Sequence, residues 1–257
     1  MLKNIIPNKK LGQNFLINKY TINTLLEILS ISKDDYVVEI GPGQGALTEH
    51  IIKKTKNYIG IEKDKILCEY LIEKFKNNID IRNEDILKTN FNSLHKKNFN
   101  IIGNIPYNIS TKILMRCMEQ RSKISKIYLM MQKEFVERVI ANNNNKSYGR
   151  LSIIMQLYFE TQKYIDIHPS DFYPEPKIYS SFMSLIPKEK ILINEFEAED
   201  FLNFVKKIFH TRRKKIKNCL SIKNEDLYGN INKRAEELSI PEIIKLYRDI
   251  NNDGKLI

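Results

Sequence analysis

"YVVEIGPGQGALT", Tyr36 to Thr48, sets a short apolar run against three glycines and then a helical pattern. The run "YVVEI" reads as a buried strand, and "ALTEHIIKK" as a helix with Leu47 and Ile51 on one face. A glycine-rich turn between the two lets backbone approach a ligand and lets the helix begin close to the strand. Outward from this unit the alternation repeats. "NYIGI" (57–61), "NIDIR" (78–82), "FNIIG" (99–103) and "KIYLMMQ" (126–132) read as further strands, with helices expected across 64–76 and near 110–118. Such alternation means right-handed βαβ units and a parallel sheet covered on both faces, an α/β fold.

After residue 160 the pattern changes. "TQKYIDI" (161–167) and "IYSSFMSLI" (178–186) read as two strands joined by the Pro-rich loop "HPSDFYPEPK". That loop has no room for a crossover helix, so the two strands are expected to be antiparallel neighbours. Pro187 and the charged "KEK" mark a domain boundary, giving a domain over 1–187 and a smaller one over 188–257. In the second, "EDFLNFVKKIF" and "AEELSIPEIIKLYRDI" are amphipathic and helical, and no strand pattern returns. The run Asn142–Asn145 is low in complexity and reads as a mobile loop.

The 257 residues suffice for one large domain or a medium and a small one. Lys and Arg exceed Asp and Glu by 42 to 31, a net charge of +11. This favours a polyanionic partner such as nucleic acid or an anionic membrane surface, although a solvated basic surface gives the same total. Three scattered cysteines, Cys68, Cys117 and Cys219, form no metal or disulfide spacing and fit a reducing cytosol. No metal site is expected. Neither a signal peptide nor an apolar run long enough to span a bilayer is seen, so the expected location is cytoplasmic.

Gly41, Gly43 and Ala46 satisfy the dinucleotide pattern G-x-G-x-x-A, and Glu62 follows Gly41 by 21 residues, so spacing alone allows NAD. Two features tilt against it. Glu39 sits inside the strand, where it can orient the loop or meet a cationic ligand, and a further acid, Asp85, ends the third strand. Acids at the ends of three adjacent strands would repel a pyrophosphate. They suit an ammonium, a ribose diol and an adenine amino group, the three groups of S-adenosylmethionine. Taken singly, Glu62 and Asp85 read as easily as surface carboxylates or helix caps.

"NIPY", Asn104 to Tyr107, ends the fourth strand and so stands beside the reactive end of such a ligand. An exocyclic amine such as adenine N6 is a poor nucleophile because its lone pair is delocalised into the ring. The Asn104 side-chain oxygen and a main-chain carbonyl near Ile105 can accept its protons. Pro106 stiffens the turn without a competing N–H, and Tyr107 offers a stacking face for an unstacked base. Transfer would then rest on positioning and electrostatics. A proline turn with a packed tyrosine is the plain alternative.

With these residues placed, "LGQNFL" (11–16), "EIGPGQGALT" (39–48), "NIPYNIST" (104–111), "YGRLS" (148–152), "FYPEPKIYS" (172–180) and "HTRRKK" (210–215) together resemble the small-subunit ribosomal RNA adenine N6,N6-dimethyltransferases nearly end to end. The resemblance implies a class I methyltransferase fold, Rossmann-like, with a seven-stranded sheet, its last strand antiparallel, and a small all-helical C-terminal domain that binds RNA. It implies that two adjacent adenosines in a hairpin loop near the 3′ end of 16S rRNA each receive two N6 methyls from S-adenosylmethionine, by a monomer. On the same resemblance Asn14, Leu16, Gly41, Glu62, Asp85 and Asn104 look like cofactor contacts. Asn104, Pro106, Tyr107 and Phe172 look like the catalytic set, with Tyr107 and Phe172 facing the target base. Arg212, Arg213 and Lys214 are expected on a helix, touching phosphates. Ile105, Ile178 and Tyr179 depart from the commoner residues. Three rivals are weighed. A large-subunit rRNA methyltransferase of the macrolide-resistance type shares "GQNFL" and "NIPYNIS". A non-catalytic RNA-binding factor would have lost the cofactor set, and a DNA adenine methylase would carry a larger added domain.

Overall fold

A computed structural model describes residues 6–8, 11–76, 79–222 and 229–252. The first half runs β1 (Phe15–Leu16), α1 (Lys19–Leu29), β2 (Val37–Ile40), α2 (Thr48–Lys54), β3 (Tyr58–Glu62), α3 (Lys65–Lys74), β4 (Asp80–Asn83), β5 (Phe99–Asn104) and α4 (Ser110–Glu119). The second runs β6 (Ile124–Gln132), α5 (Lys133–Ile140), α6 (Arg150–Tyr158), β7 (Phe159–Ile167), β8 (Phe172–Tyr173), β9 (Ser180–Pro187), α7 (Glu195–Ile208), α8 (Ile216–Leu220) and α9 (Ile240–Asn252).

Seven strands form one sheet in the order β4-β3-β2-β5-β6-β9-β7. Pairings from β4 to β6 are parallel, and β9 enters antiparallel to β6. The central strands β2 and β3 are buried at every position, whereas edge strand β4 alternates through exposed and half-buried residues. β7 lies at the other edge and carries the ion pair of Lys163 with Asp166, charge that discourages further strand pairing. The chain order reverses between β2 and β5, so the ligand crevice of such a sheet opens at the C-terminal ends of these two strands.

One cluster, including Leu25 and Leu29 of α1, Val37, Ile51, Tyr58, Ile102, Tyr128 and Phe182, forms the core against the sheet. Helix α1 starts where the Asn18 side chain accepts from the Tyr20 and Thr21 N–H groups, and Asn18 Nδ2 donates to Asp171 Oδ1 at 2.6 Å. Thr21 Oγ1 donates to Asp171 Oδ2 at 2.8 Å, so one buried carboxylate fastens the N-terminal segment to the loop before β8.

All seven strands of the large sheet are legible as apolar runs. Helices α1, α5 and α6 and the two-residue ladder of β1 with β8 are not. The chain divides into two units, Met1–Val136 with Thr161–Pro187, and Glu137–Glu160 with Lys188–Ile257. One division falls at 187/188, and 137–160 groups with the tail. Its own hydrogen bonds show why. Gln156 Nε2 donates to the Val139 and Ala141 carbonyls, and Lys188 Nζ donates to the Gln156 carbonyl at 2.6 Å. The asparagine run is not a free loop either: Asn143 Nδ2 donates to the Glu237 carbonyl and the Asn144 N–H to that of Glu236.

Candidate active site

The glycine turn after β2 takes left-handed backbone, with φ of +64° at Gly41 and +61° at Gly43. A side chain at Gly41 would meet nothing within 4 Å, whereas one at Gly43 would meet the Phe15 ring at 3.0 Å. Gly41 therefore borders open space, and Gly43 packs under the N-terminal segment. Beneath the turn, Glu39 is 3% exposed, and its Oε2 accepts from Thr48 Oγ1 and Tyr58 OH, both at 2.7 Å. Burial, opposed by these two hydroxyls, pushes its carboxyl up to about 7. Glu39 thus ties β2 to the first residue of α2 and sets the loop.

Glu62 ends β3 and is buried. Its Oε2 accepts the Gly43 N–H at 3.2 Å and its Oε1 the Asp64 N–H at 2.9 Å. Burial raises its carboxyl above the ordinary value, with those two backbone donors acting the other way. Asp85 lies two residues beyond β4. Its Oδ2 pairs with Lys63 Nζ at 2.9 Å and its Oδ1 accepts the Leu87 N–H. Its partial burial would raise the carboxyl, but the Lys63 and Leu87 hydrogen bonds outweigh it and hold the group below the ordinary carboxylate range.

Asn104 is the last residue of β5. Its Nδ2 donates to the Asn14 carbonyl at 2.7 Å, a partner that can only accept, so the amide orientation is fixed. Oδ1 is then the acceptor atom of this cavity-lining amide. The Ile105 N–H is taken by the Met130 carbonyl at 3.0 Å. Tyr107 OH shares a 2.9 Å hydrogen bond with Ser180 Oγ, and burial raises its phenol while Ser180 acts the other way.

These groups border one cavity of about 230 Å³. Asn14, Leu16, Gly41, Glu62, Asp85, Asn104, Pro106 and Tyr107 all line it. Gln13 and Glu84 line it too and were not read. Gln13 sits inside the quoted "LGQNFL", but its partner Asp64 is 51 residues away, beyond any spacing rule. The lining carries four acidic side chains, Glu39, Glu62, Glu84 and Asp85, of which Glu39 is pushed toward its neutral form, against one cation, Lys63, itself paired with Asp85. This donor set fits the sulfonium, amine and diol of S-adenosylmethionine and opposes a pyrophosphate, which disposes of the NAD reading.

Two expectations need correction. Phe172 does not line the cavity: it is 3% exposed and packs in the core cluster with Leu16, its partner across the β1–β8 ladder. Strand alternation turns its neighbour Tyr173 outward instead, 59% exposed. Nor is "RRKK" helical, because α7 ends at Ile208 and α8 begins at Ile216, leaving 212–215 in a turn. Arg212 is internally engaged there, its Nη2 donating to the Lys146 carbonyl at 2.6 Å, the Tyr148 carbonyl at 2.8 Å and Glu236 Oε2 at 3.0 Å. Arg213 and Lys214 are exposed. Among the described residues no helix is long and apolar enough to cross a membrane, and no group of three or more His, Cys, Asp or Glu is placed to hold a metal ion.

The strand order, the antiparallel β9 and an acid-lined crevice ending in Asn104 define a class I S-adenosylmethionine-dependent methyltransferase. The chain belongs to the ribosomal RNA adenine dimethylase family, whose model matches residues 6–250. It is 38% identical over 251 residues to ribosomal RNA small subunit methyltransferase A of Francisella tularensis subsp. tularensis (strain WY96-3418), covering 93% of this chain and 95% of that one. A dimethyladenosine transferase from Plasmodium falciparum superposes with a TM-score of 0.81 at 26% identity, covering 93% of this chain and 98% of that structure. The 23S rRNA methyltransferase ErmE shares the fold, with a TM-score of 0.73 at 24% identity over 93% of this chain and 100% of that one.

Proposed function

We propose that this enzyme transfers methyl groups from S-adenosylmethionine to N6 of two adjacent adenosines in a hairpin loop near the 3′ end of 16S rRNA, dimethylating each during small-subunit biogenesis. It acts as a cytoplasmic monomer. The observation that carries the chemistry is the Asn104 amide, committed through Nδ2 to the Asn14 carbonyl at the rim of an acid-lined cavity. The near full-length likeness to a small-subunit methyltransferase supports that target over the large subunit.

When bound, S-adenosylmethionine supplies an electrophilic methyl carried on a sulfonium. Glu62 would hold the ribose hydroxyls with the lone pairs left over from Gly43 and Asp64, and Asp85 would hold the cofactor's adenine amine. Asn104 Oδ1 accepts an N–H of the incoming target amine, drawing its lone pair out of conjugation and aiming it in line. Pro106 holds the turn, and Tyr107, tethered to Ser180, presents its ring to the unstacked base. After one methyl is gained and one proton is lost to solvent the amine would keep a single N–H, which Asn104 can still accept to orient it for the second.

The reading is tested by tritiated methyl transfer to small-subunit particles, large-subunit RNA and duplex DNA. Label in the small-subunit particles alone, recovered as dimethyladenosine after digestion, is the expected result. Label in large-subunit RNA in its place overturns the target.

A further inference from the structure

Residues Gln13 and Asn14 are consecutive, yet they bond to opposite sides of β2. Asn14 accepts from Asn104 at the end of β5, and Gln13 Nε2 donates to Asp64 Oδ2 at 2.9 Å just past β3. β3 and β5 are the two sheet neighbours of β2. The segment therefore bridges the switch point above the glycine turn, and the next residue, Phe15, packs on Gly43. On the β3 side the chain of bonds continues: the Asp64 N–H reaches Glu62 Oε1, and the other Glu62 oxygen accepts from Gly43. Gln13 is held from behind as well, its Oε1 accepting the Asn8 N–H at 2.7 Å. Both ends of its amide are thus assigned, and Nε2 must face Asp64.

We infer that Gln13 is a positioning residue that latches this strap across the cavity, so that seating S-adenosylmethionine on the Glu62 side also fixes the Asn104 amide on the other. The inference rests on the methyltransferase reading above. A strap tied only at Asn104 would leave the loop, the ribose acceptor and the transfer amide free to adjust separately. Tied at both ends, it makes cofactor affinity and amine alignment depend on the one hydrogen bond between Gln13 and Asp64.

The test reverses the polarity of that bond. Gln13→Glu sets two carboxylates against each other where an amide met a carboxylate. By calorimetric titration it is expected to weaken S-adenosylmethionine and S-adenosylhomocysteine binding about tenfold. It is also expected to lower kcat at saturating cofactor, with rRNA affinity unchanged. In Gln13→Glu/Asp64→Asn the donor and acceptor exchange places, while residue 64 keeps an oxygen for the Ile66 N–H at the start of α3. Affinity and kcat are expected to return to within about threefold of wild type. Gln13→Ala, which removes the bond without adding charge, should fall between. A pair that stays as weak as Gln13→Glu, or a Gln13→Glu protein that binds and turns over like wild type, overturns the latch. If wild type itself takes up no S-adenosylmethionine, the methyltransferase reading falls and the latch with it.

Discussion

Glu62 spends one lone pair of each oxygen on backbone and keeps the others for a diol. Charge-assisted hydrogen bonds of this kind are worth roughly 1.5–3 kcal/mol each. Glu62→Ala should therefore weaken S-adenosylmethionine binding at least about tenfold in calorimetric titration, with the fold intact. Unchanged affinity would remove Glu62 from the site. Glu39 makes a different kind of expectation, in pH. Its folded value of about 7 lies above the ordinary 4.5, so the folded protein holds a proton that the unfolded chain has released between those values. Stability from this group is complete below about 4.5 and is lost as pH rises through 7, a fall on the order of 3 kcal/mol. Denaturant unfolding of wild type and Glu39→Gln across that window should show a steeper decline in wild type, the remainder in the variant coming from groups such as Glu62 that are also raised. Equal slopes would mean that the carboxylate is ionised in both states.

At the scale of elements, what was legible follows burial. β2, β3, β5 and β6 are apolar runs because they are covered on both faces, and their ends locate Glu62 and Asn104 without further help. β8 is two residues long, too short to display the alternation that sends Phe172 inward and Tyr173 outward. A charge run such as "RRKK" has no apolar period, so nothing in it distinguishes a helix from a turn. The bonds of Gln13 to Asp64, Asn143 to Glu237 and Arg212 to Tyr148 join residues at least 51 positions apart and leave no local trace. Phe172 makes the difference measurable. Truncating a buried phenylalanine costs about 3–5 kcal/mol, so Phe172→Ala should lower Tm by several degrees. Methyl transfer per folded molecule should persist. Lost transfer at an unchanged Tm would instead show that the ring reaches the target base.

At the scale of the whole molecule, charge decides how the RNA is held. Residues 188–257 carry a net +3 and 137–160 a net +1, so the C-terminal unit holds +4 and the larger unit +7 of the total +11. A footprint confined to the C-terminal unit would use the smaller share, so phosphate contacts are expected from both. Within the turn at 212–215 the cations are not equivalent. Arg212 already satisfies two carbonyls and Glu236 inside its own unit, and its removal unties "KSY" and the segment around Glu236. Arg212→Ala should accordingly lower Tm and speed proteolysis of that unit. Arg213 and Lys214 are exposed, and the pair can be neutralised without loss of packing. Each phosphate contact contributes about 0.7–0.9 to the slope of log binding constant against log salt. Arg213→Gln/Lys214→Gln should flatten that slope by roughly 1.4–1.8, measured by rRNA titration over a range of salt concentrations at fixed pH. A steep residual slope is expected from the cations of residues 1–187. If the slope is untouched in the double variant, the turn is surface only. If the double variant abolishes it, the excess charge of the larger unit serves solubility rather than RNA.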